Sequence, residues 1–403
     1  PTNTLVTGPD IIFFWVARMI MAGIEFLDKI PFKDVYFTSI LRDKDGKKFS
    51  KSLGNSPDPF TLFEEYGTDA VRFATMLMSP QGLDVLFSND RLEIGRNFMN
   101  KLWNASRFVH MNLDDLKNDN DKIDISQLEE PERWILNRLD ETAVEVNKLL
   151  NKFKFNEAAK HIYEFTWNDY CDWYIEIAKT RFYGNDNKKK ELAQKVSVKT
   201  LKGILILLHP YAPFITEEIW SFFRNKDDLD LIVSPWINPQ EFIPDDDALK
   251  SFEVIKSTIS AVRMIRSKMN VPSNKRSNVI IRKGEKFESI IQNNSAIIKS
   301  LGNIENISFS NDSKKPKKSA TVVTNQMEIF IPLEGLIDFE IEISRLSKRL
   351  NELDKHIASI KHKLTNKKFI DRAPKEVVSH EKQKLDDMIV EYNLVKQNLD
   401  ILI

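Results

Sequence analysis

The apolar repeat near the end of the chain restricts the possible folds more than any other feature of the sequence. Apolar residues alternate at spacings of three and four from Ile343 to Leu364, and a second run of this kind extends from Val378 to Leu402. Such a seam is buried only when one helix packs lengthwise against another. Pro374 lies between the two runs. This break favours an antiparallel coiled-coil hairpin within one chain over the alternative, a homodimeric coiled coil.

Three other segments differ from this one in pattern. Residues 1–92 alternate strand-like with helical stretches, which indicates part of an α/β layer. Residues 93–245 carry long helical periodicities and predict an all-α bundle. Residues 246–335 combine a helix with short alternating stretches and predict a small α/β module, and residues 336–403 contain the hairpin. The predicted fold class is therefore mixed, with four domains in sequence order.

Charge and cysteine content limit the kinds of site that this chain can build. Its 59 basic and 59 acidic residues cancel, so any contact with nucleic acid must use a local basic patch. Cys171 is the only cysteine, which excludes an internal disulfide and a multi-cysteine zinc site and is typical of a reducing cytosol. The longest apolar run, residues 11–17, ends at Arg18 and is too short to span a membrane. Because the chain starts at Pro1 and soon enters apolar sequence, we expect the C-terminal part of a longer protein.

The stretch GKKFSKSLGN, residues 46–55, concentrates cations and hydroxyls on a small loop after a glycine turn. Four of its donors, two ammonium and two hydroxyl groups, are singled out: Lys48, Lys51, Ser50 and Ser52. Mobile donors of this kind suit a triphosphate whose negative charge builds up on the leaving pyrophosphate. The loop is not a Walker A motif, because Leu41 occupies the position of the first glycine and Lys48 that of the Ser or Thr. On composition alone, a solvated basic turn is the more common explanation of such a cluster.

A second stretch, TGPDIIFFWVARM at residues 7–19, links the end of a predicted strand to a helix. Gly8 is expected to let the strand end turn tightly, and Asp10 is expected to cap the helix. Nucleotides bind at the carboxyl ends of strands in α/β sheets, where a carboxylate such as Asp10 can accept hydrogen bonds from ribose hydroxyls. The alternative is purely structural, with Asp10 only a helix cap and Trp15 only a core residue.

Several conspicuous side chains in the predicted bundle are interpreted as structural. Four aromatic residues at spacings of three and four are expected in the core, although exposed aromatics can also stack on bases. They are Trp167, Tyr170, Trp173 and Tyr174. His209 precedes a proline at a helix end and is expected to make a structural hydrogen bond, and Cys171 is expected to be buried and inert.

The lysine-rich loop resembles the KMSKS loop of class I aminoacyl-tRNA synthetases, with Phe49 in place of the usual methionine. The resemblance continues through NSPDP at residues 55–59 and YGTDAVRF at residues 66–73, and it returns in LHPYAPFITEEIW at residues 208–220. The TGPDIIFFWVARM stretch is similar to the adenylate-binding segment of the valyl, isoleucyl and leucyl subgroup, and within it to the valyl-tRNA synthetase family. The hairpin is typical of that family, whereas isoleucyl enzymes usually end in a cysteine zinc module that this chain cannot build.

The resemblance implies ATP-dependent attachment of valine to tRNA(Val) through a valyl-adenylate intermediate. It implies that Lys48 and Lys51 stabilise the leaving pyrophosphate and that Trp15 forms a wall of the amino-acid pocket. The residues implied to contact ATP or the adenylate are Gly8, Asp10, Ser50, Lys51 and Ser52. The implied ligands are valine, ATP with Mg²⁺ and tRNA(Val), bound by a monomeric cytoplasmic protein without membrane contact or protein-bound zinc.

The same resemblance gives most of the predicted domains a role. Residues 1–92 are implied to be the C-terminal part of a Rossmann-like catalytic domain, residues 93–245 an anticodon-binding bundle, residues 246–335 a linker module and residues 336–403 a tRNA-binding arm. Six cations cluster at the tip of the arm: Lys361, Lys363, Lys367, Lys368, Arg372 and Lys375. A local positive end of this kind suits a phosphate backbone, and solubility at an exposed turn is the alternative.

Two parts of the family's catalytic machinery do not occur in the sequence. It contains no His-x-Gly-His element and has no room for the inserted editing domain. Such editing is needed because a valine-shaped pocket rejects an isosteric hydroxyl compound only ~10²-fold. We therefore expect that the chain does not charge tRNA by itself. A non-catalytic tRNA-binding fragment or paralogue is an alternative, as is a coiled-coil ATPase, against which the loop spacing counts.

Overall fold

The structure, a computed structural model, describes most of the chain. The described residues are 1–50, 52–113, 123–225, 229–238, 245–310, 316–325, 327–366 and 375–402. They divide into two units, Pro1–Leu249 and Lys250–Ile403.

Two parallel strand pairs form the α/β part of the first unit. Its elements are β1 (Thr2–Thr7), α1 (Ala17–Leu27), β2 (Phe32–Phe37), β3 (Leu41–Arg42), α2 (Pro59–Tyr66), α3 (Thr68–Met78) and β4 (Val85–Leu86). β1 is parallel to β2, with Thr4 beside Asp34, and β3 is parallel to β4. Parallel neighbours need a crossover connection, which α1 supplies for the first pair. The alternation of strand and helix in residues 1–92 is therefore the pattern of a crossover unit.

The segment after β1 differs from the sequence expectation in two ways. A 3₁₀ turn (Pro9–Ile11) and a π-helical turn (Ile12–Val16) precede α1, which begins only at Ala17. Gly8 occupies the cap position of the first turn, so the prediction that Asp10 caps the helix is wrong. Gly8 itself has extended backbone angles, φ −79° and ψ 148°, which any residue adopts, so no glycine is required there for a tight turn.

The helical bundle of the first unit follows β4. Its helices are α4 (Leu92–His110), α5 (Glu130–Leu150), α6 (Phe155–Glu164), α7 (Ile175–Phe182), α8 (Asn187–Leu208) and α9 (Pro213–Phe223). A π-helical segment, Phe165–Tyr174, joins α6 to α7. Pro213 begins α9 at a position where proline lacks only an amide that would have no helical partner.

The aromatic group in the π-helical segment is mostly core, as predicted. Tyr170 and Tyr174 are completely buried, and Trp173 is buried as well. The hydroxyl of Tyr170 donates to the Ser197 carbonyl oxygen at 3.0 Å. Trp167 is half-buried and stacks on a neighbouring ring instead of lying in the core. The buried tyrosines therefore stabilise the bundle and are not available for base stacking.

The two remaining structural predictions for the bundle are confirmed. Cys171 is buried, and desolvation raises the pKa of its thiol to about 12, so it carries no thiolate at neutral pH. His209 Nδ1 is 2.8 Å from Thr216 Oγ1 in the first turn of α9. Burial lowers the pKa of His209, which favours the neutral ring in this structural hydrogen bond.

α3 is tied to the bundle by two polar side chains. Asp69 Oδ2 accepts a hydrogen bond from the Ile215 amide of α9 at 2.6 Å. Arg72 donates to the carbonyl oxygens of Pro210 and Tyr211, both at 3.3 Å. The YGTDAVRF and LHPYAPFITEEIW stretches are therefore in direct contact.

The close approach of α3 and α4 requires a glycine. A Cβ atom on Gly95 would lie 2.9 Å from the Ala70 carbonyl carbon and still closer to its oxygen, and these backbone atoms cannot swing aside. We expect Gly95→Ala to lower the free energy of unfolding by about 1–3 kcal/mol, as for other overpacked contacts. Urea denaturation measures this change.

Gly8→Ala is the control for this substitution, because a Cβ on Gly8 meets only Asp10 Oδ1, at an ordinary 3.8 Å. Its free energy of unfolding should stay within about 0.5 kcal/mol of the parent value. A Gly95→Ala protein as stable as the parent would show that the two helices separate without cost.

The second unit contains a mixed sheet with helices. The helix α10 (Asp246–Lys268) begins in the first unit and continues into the second. The elements that follow it are β5 (Ser277–Arg282), α11 (Glu288–Asn293), α12 (Ser295–Gly302), β6 (Ile304–Phe309), β7 (Ser319–Thr324) and β8 (Met327–Pro332). The strand order is β6–β5–β8–β7, with β5 parallel to β6 and antiparallel to β8. Along β5, Ser277, Val279 and Ile281 are buried, whereas Asn278 is exposed. This alternation is the period of two expected for a sheet with one covered face.

The heptad segment forms two long helices that pack on each other. They are α13 (Phe339–Thr365) and α14 (Lys375–Leu402). Arg349 Nη2 contacts Glu391 Oε1 at 2.6 Å, and Lys363 Nζ lies 3.7 Å from Glu381 Oε1, so the helices run antiparallel. Leu346 and Leu353 of the predicted seam are buried.

The predicted mixed class is confirmed at the level of a mostly helical chain with small sheets. Among the residues that the structure describes, no helix is both long enough and apolar enough to cross a bilayer.

Candidate active site

The lysine-rich loop begins with a tight turn after β3. The Asp43 amide donates to the Lys47 carbonyl oxygen at 2.9 Å, and Arg42 pairs with Lys48 across the turn. Gly46 has a φ of +78°, a conformation that glycine adopts without strain. Phe49 points inward and packs edge-to-face on Phe87, with ring centroids 5.8 Å apart. The turn therefore presents Lys48 to one side while the next residue anchors the loop.

Lys48 and Asp10, two residues singled out separately in the sequence, are in contact. Lys48 Nζ forms an ion pair with Asp10 Oδ2, and both side chains are 47% exposed. The hydrogen bond from Lys48 holds the pKa of Asp10 below its ordinary value. The structure therefore brings the loop to the residues that follow the carboxyl end of β1, where an α/β layer binds nucleotides.

We expect Lys48→Ala to raise the pKa of Asp10 towards the ordinary value of an aspartate. The Lys48 hydrogen bond is the largest cause of the lowered pKa, and its loss removes the preference for the charged form. A carboxyl-detected NMR titration of Asp10 measures this shift. In the control Lys44→Ala, which removes an exposed lysine from the turn just before the loop, the pKa of Asp10 should not move. An unchanged pKa in Lys48→Ala would mean that the ion pair does not form in solution.

The hydroxyls of the loop contact each other. Ser50 Oγ is 2.7 Å from Ser52 Oγ and accepts a hydrogen bond from the Ser52 amide at 3.2 Å. Ser52 is exposed and Ser50 half-buried. Lys51 lies outside the described residues.

Trp15 lies in the π-helical turn, and Asp10 lies in the 3₁₀ turn before it. The Trp15 side chain is 43% exposed, which contradicts the alternative that it is only a core residue. Phe13 and Phe14, which precede it, are exposed even more. Gly8 directly follows β1.

The predicted tRNA-binding cluster is described only in part. Lys361 and Lys363 are exposed on the last turns of α13, and Lys375 is the first residue of α14. The other predicted members, Lys367, Lys368 and Arg372, lie outside the described residues. Lys361 and Lys363 therefore lie on the surface of the described part of this cluster, and Lys363 is also 3.7 Å from Glu381.

Sequence reasoning gave no role to four residues that shape the loop. Arg42 Nε donates to Asp84 Oδ2 at 2.5 Å, which ties β3 to the residue before β4. Asp43 and Asn55 are hydrogen-bonded to each other at 2.7 Å across the base of the loop. An aspartate three residues before a glycine is typical of a turn, so the sequence carried a signal for Asp43. Arg42 and Asp84 are far apart in sequence and carry no such signal.

Known protein families match successive parts of the chain. Three family models match: "tRNA synthetases class I (I, L, M and V)" at residues 1–88, "Anticodon-binding domain of tRNA ligase" at residues 132–281 and "Valyl tRNA synthetase tRNA binding arm" at residues 338–402. A curated valine–tRNA ligase of Syntrophotalea carbinolica is 43% identical over 100% of this chain, and one of Listeria innocua is 42% identical over 100%. The chain belongs to the valyl-tRNA synthetase family.

The chain spans 45% and 46% of the length of these two relatives. Among solved structures, the LeuRS of Agrobacterium radiobacter K84, in a ternary complex with tRNA and LeuAMS, overlays with a TM-score of 0.47 and 21% identity. That overlay covers 60% of this chain and 30% of the other. A similarity of this size supports no inference about the site. The family membership rests on the sequence relatives and the family models.

Proposed function

We propose that this member of the valyl-tRNA synthetase family takes part in the ATP-dependent attachment of valine to tRNA(Val) through a valyl-adenylate. One observation supports this most directly. Lys48 of the lysine-rich loop and Asp10 after β1 meet in one place, although 38 positions separate them. A nucleotide site needs a cation for the phosphates and an acceptor for the ribose hydroxyls. Lys48 and Asp10 supply these two groups at the end of one strand.

The proposed chemistry is positioning and charge stabilisation without a covalent enzyme intermediate. A carboxylate oxygen of valine attacks the α-phosphorus of ATP, and the bond to the β-phosphate oxygen breaks. Lys51, assisted by Lys48, stabilises the charge that develops on the departing pyrophosphate. Gly8 and Asp10 contact the adenylate, and Trp15 borders the amino-acid pocket. A ribose hydroxyl at the end of the tRNA then attacks the acyl carbon and releases AMP.

The Lys48–Asp10 pair and the two serine hydroxyls are held by weak contacts, which a bound ligand can replace. The Lys48–Asp10 pair is half exposed, and such pairs contribute little to stability. The hydroxyls of Ser50 and Ser52 contact each other, and Ser50 Oγ also accepts a hydrogen bond from the Ser52 amide. Opening these contacts frees an ammonium group, a carboxylate and two hydroxyls for ATP and adenylate at small cost.

Mg²⁺ is proposed to arrive with the phosphates of ATP. In the part of the chain that the structure describes, no group of three or more His, Cys, Asp or Glu side chains is placed to hold a metal ion. When bound, the ion supplies charge neutralisation at the phosphate oxygens. Asp10 and the loop hydroxyls would hold the nucleotide that carries the ion.

The remaining parts of the chain are proposed to bind tRNA. Residues 1–92 act as part of a Rossmann-like catalytic domain, the bundle at residues 93–245 reads the anticodon, and residues 246–335 link it to the arm. The arm at residues 336–403 contacts the tRNA backbone through the positive end that includes Lys361 and Lys363. The protein is proposed to act as a cytoplasmic monomer.

Pyrophosphate exchange into ATP, with each amino acid in turn, tests this function on the protein expressed from its complete gene. Exchange driven by valine, with weak exchange for threonine, supports the proposal. Exchange driven by isoleucine or leucine keeps the mechanism and changes the amino acid. If no amino acid drives exchange while tRNA still binds, the chain is a non-catalytic tRNA-binding protein.

A further inference from the structure

The side chain of Asn55 joins the two halves of the lysine-rich loop. Its Oδ1 accepts a hydrogen bond from the Ser50 amide at 2.9 Å. Its Nδ2 donates to the Lys48 carbonyl oxygen at 3.2 Å and to Asp43 Oδ2 at 2.7 Å. One half-buried amide therefore holds the backbone on both sides of Phe49.

Asp43 completes this arrangement from the other end of the loop. Its Oδ1 accepts from the amides of Asp45 at 3.0 Å and Lys47 at 2.8 Å, while Oδ2 accepts from Asn55. The hydrogen bond from Asn55 is the largest cause that lowers the pKa of Asp43. The carboxylate is therefore charged, and able to accept all three hydrogen bonds, at neutral pH.

These contacts matter because a glycine lies near each end of the loop. Gly46 and Gly54 near its two ends have φ values of +78° and +62°, and a Cβ on either would meet no atom within 4 Å. Lys48 and Ser52 are exposed, so packing does not hold them. The Asn55–Asp43 pair, with Phe49 against Phe87, limits the directions in which the donors can point.

We propose that Asn55 and Asp43 are positioning residues, which fix the backbone of the loop so that its ammonium and hydroxyl groups face the reacting phosphates. This inference rests on the proposed function. A displacement of about 1 Å at a reacting group can cost on the order of 10²-fold in rate. Neither side chain needs to touch ATP for its loss to slow the reaction.

Hydrogen exchange of the free protein tests the contacts without any catalytic assay. Asn55→Ala should speed exchange of the Ser50 amide by about tenfold or more, because that amide loses its acceptor. The Lys47 amide, which donates to Asp43 Oδ1, should stay within about threefold of the parent rate. Asp43→Ala should speed exchange at both Asp45 and Lys47. Parent-like exchange at Ser50 in Asn55→Ala would overturn the inference.

Exchange of pyrophosphate into ATP tests the consequence for catalysis. Asn55→Ala should lower kcat by about 10–100-fold and leave KM for valine within about twofold, because the amino-acid pocket is untouched. Lys44→Ala removes an exposed lysine from the same turn and should behave as the parent. A parent-like kcat in Asn55→Ala would overturn the positioning role and leave the proposed function intact.

A residue swap separates positioning from general damage to the fold. Asn55→Asp places two carboxylates 2.7 Å apart and should lower kcat at least as much as Asn55→Ala. Combining it with Asp43→Asn lets the side chain of residue 43 donate to that of residue 55 and should recover part of the loss, although the Lys48 carbonyl oxygen stays without its donor. No recovery would overturn the inference. If the parent protein itself shows no amino-acid-dependent exchange, the proposed function fails and the positioning role fails with it.

Discussion

Changing Lys51 to alanine is expected to lower the rate of valine-dependent pyrophosphate exchange by about 10²–10³-fold. Removal of one preorganised donor to developing charge has an effect of this size in other enzymes. The prediction rests on the loop motif and on Lys48, three residues earlier, which the structure places beside Asp10. Lys48→Ala should cost less, because Lys48 is assigned the assisting role.

Two comparisons make the result for Lys51 specific. Lys51→Arg keeps the positive charge, so it should retain more activity than Lys51→Ala. Lys44→Ala removes an exposed cation from the turn just before the loop and should leave the rate near the parent value. Measurement under saturating valine and ATP assigns the loss to kcat. A Lys51→Ala protein with the parent rate would remove this residue from the proposed mechanism.

The largest expected effect on stability comes from the buried ion pair between Arg181 of α7 and Glu132 of α5. Glu132 is completely buried and the Arg181 side chain is 6% exposed. Arg181 Nη2 also contacts Glu129 Oε2 at 2.9 Å. We expect Arg181→Ala to lower the free energy of unfolding by about 3–5 kcal/mol, because it leaves a buried carboxylate without its partner.

The loss in Arg181→Ala should depend on pH. Burial raises the pKa of Glu132, and removal of Arg181 takes away the main opposing influence. A carboxyl group with a raised pKa binds a proton more readily in the folded than in the unfolded protein. The difference from the parent should therefore grow as the pH rises and shrink as the pH falls towards the ordinary range of a glutamate. Urea denaturation of both proteins at several pH values measures it.

Two controls accompany this substitution. Adding Glu132→Gln to Arg181→Ala should recover part of the stability and remove the pH dependence, because the buried group is then neutral. Lys148→Ala breaks an exposed pair with Glu145 on the same helix and should change the free energy of unfolding by less than about 1 kcal/mol. An Arg181→Ala protein as stable as Lys148→Ala would show that Glu132 is not isolated from water.

Sequence alone determined the features that depend on local pattern. The heptad spacing predicted α13 and α14, because a long helix can bury an apolar seam only by packing lengthwise against another helix. The loop motif indicated the lysines that are proposed to bind phosphate, and the spacing of Tyr170 and Tyr174 predicted that they are core. Each of these signals lies within a short segment of sequence, in which the spacing of apolar residues and the residues typical of turns restrict the backbone.

Only the tertiary structure decided which distant residues meet. Asp10 was expected to cap a helix, yet its carboxylate pairs with Lys48, because a charged partner on a neighbouring loop is within reach only in the folded chain. Asn55 bonds back to Asp43, and Arg181 reaches Glu132 from 49 positions away. The need for Gly95 depends on the backbone of a different helix. These are single contacts between separate elements, and a single contact leaves no periodic signal along the sequence.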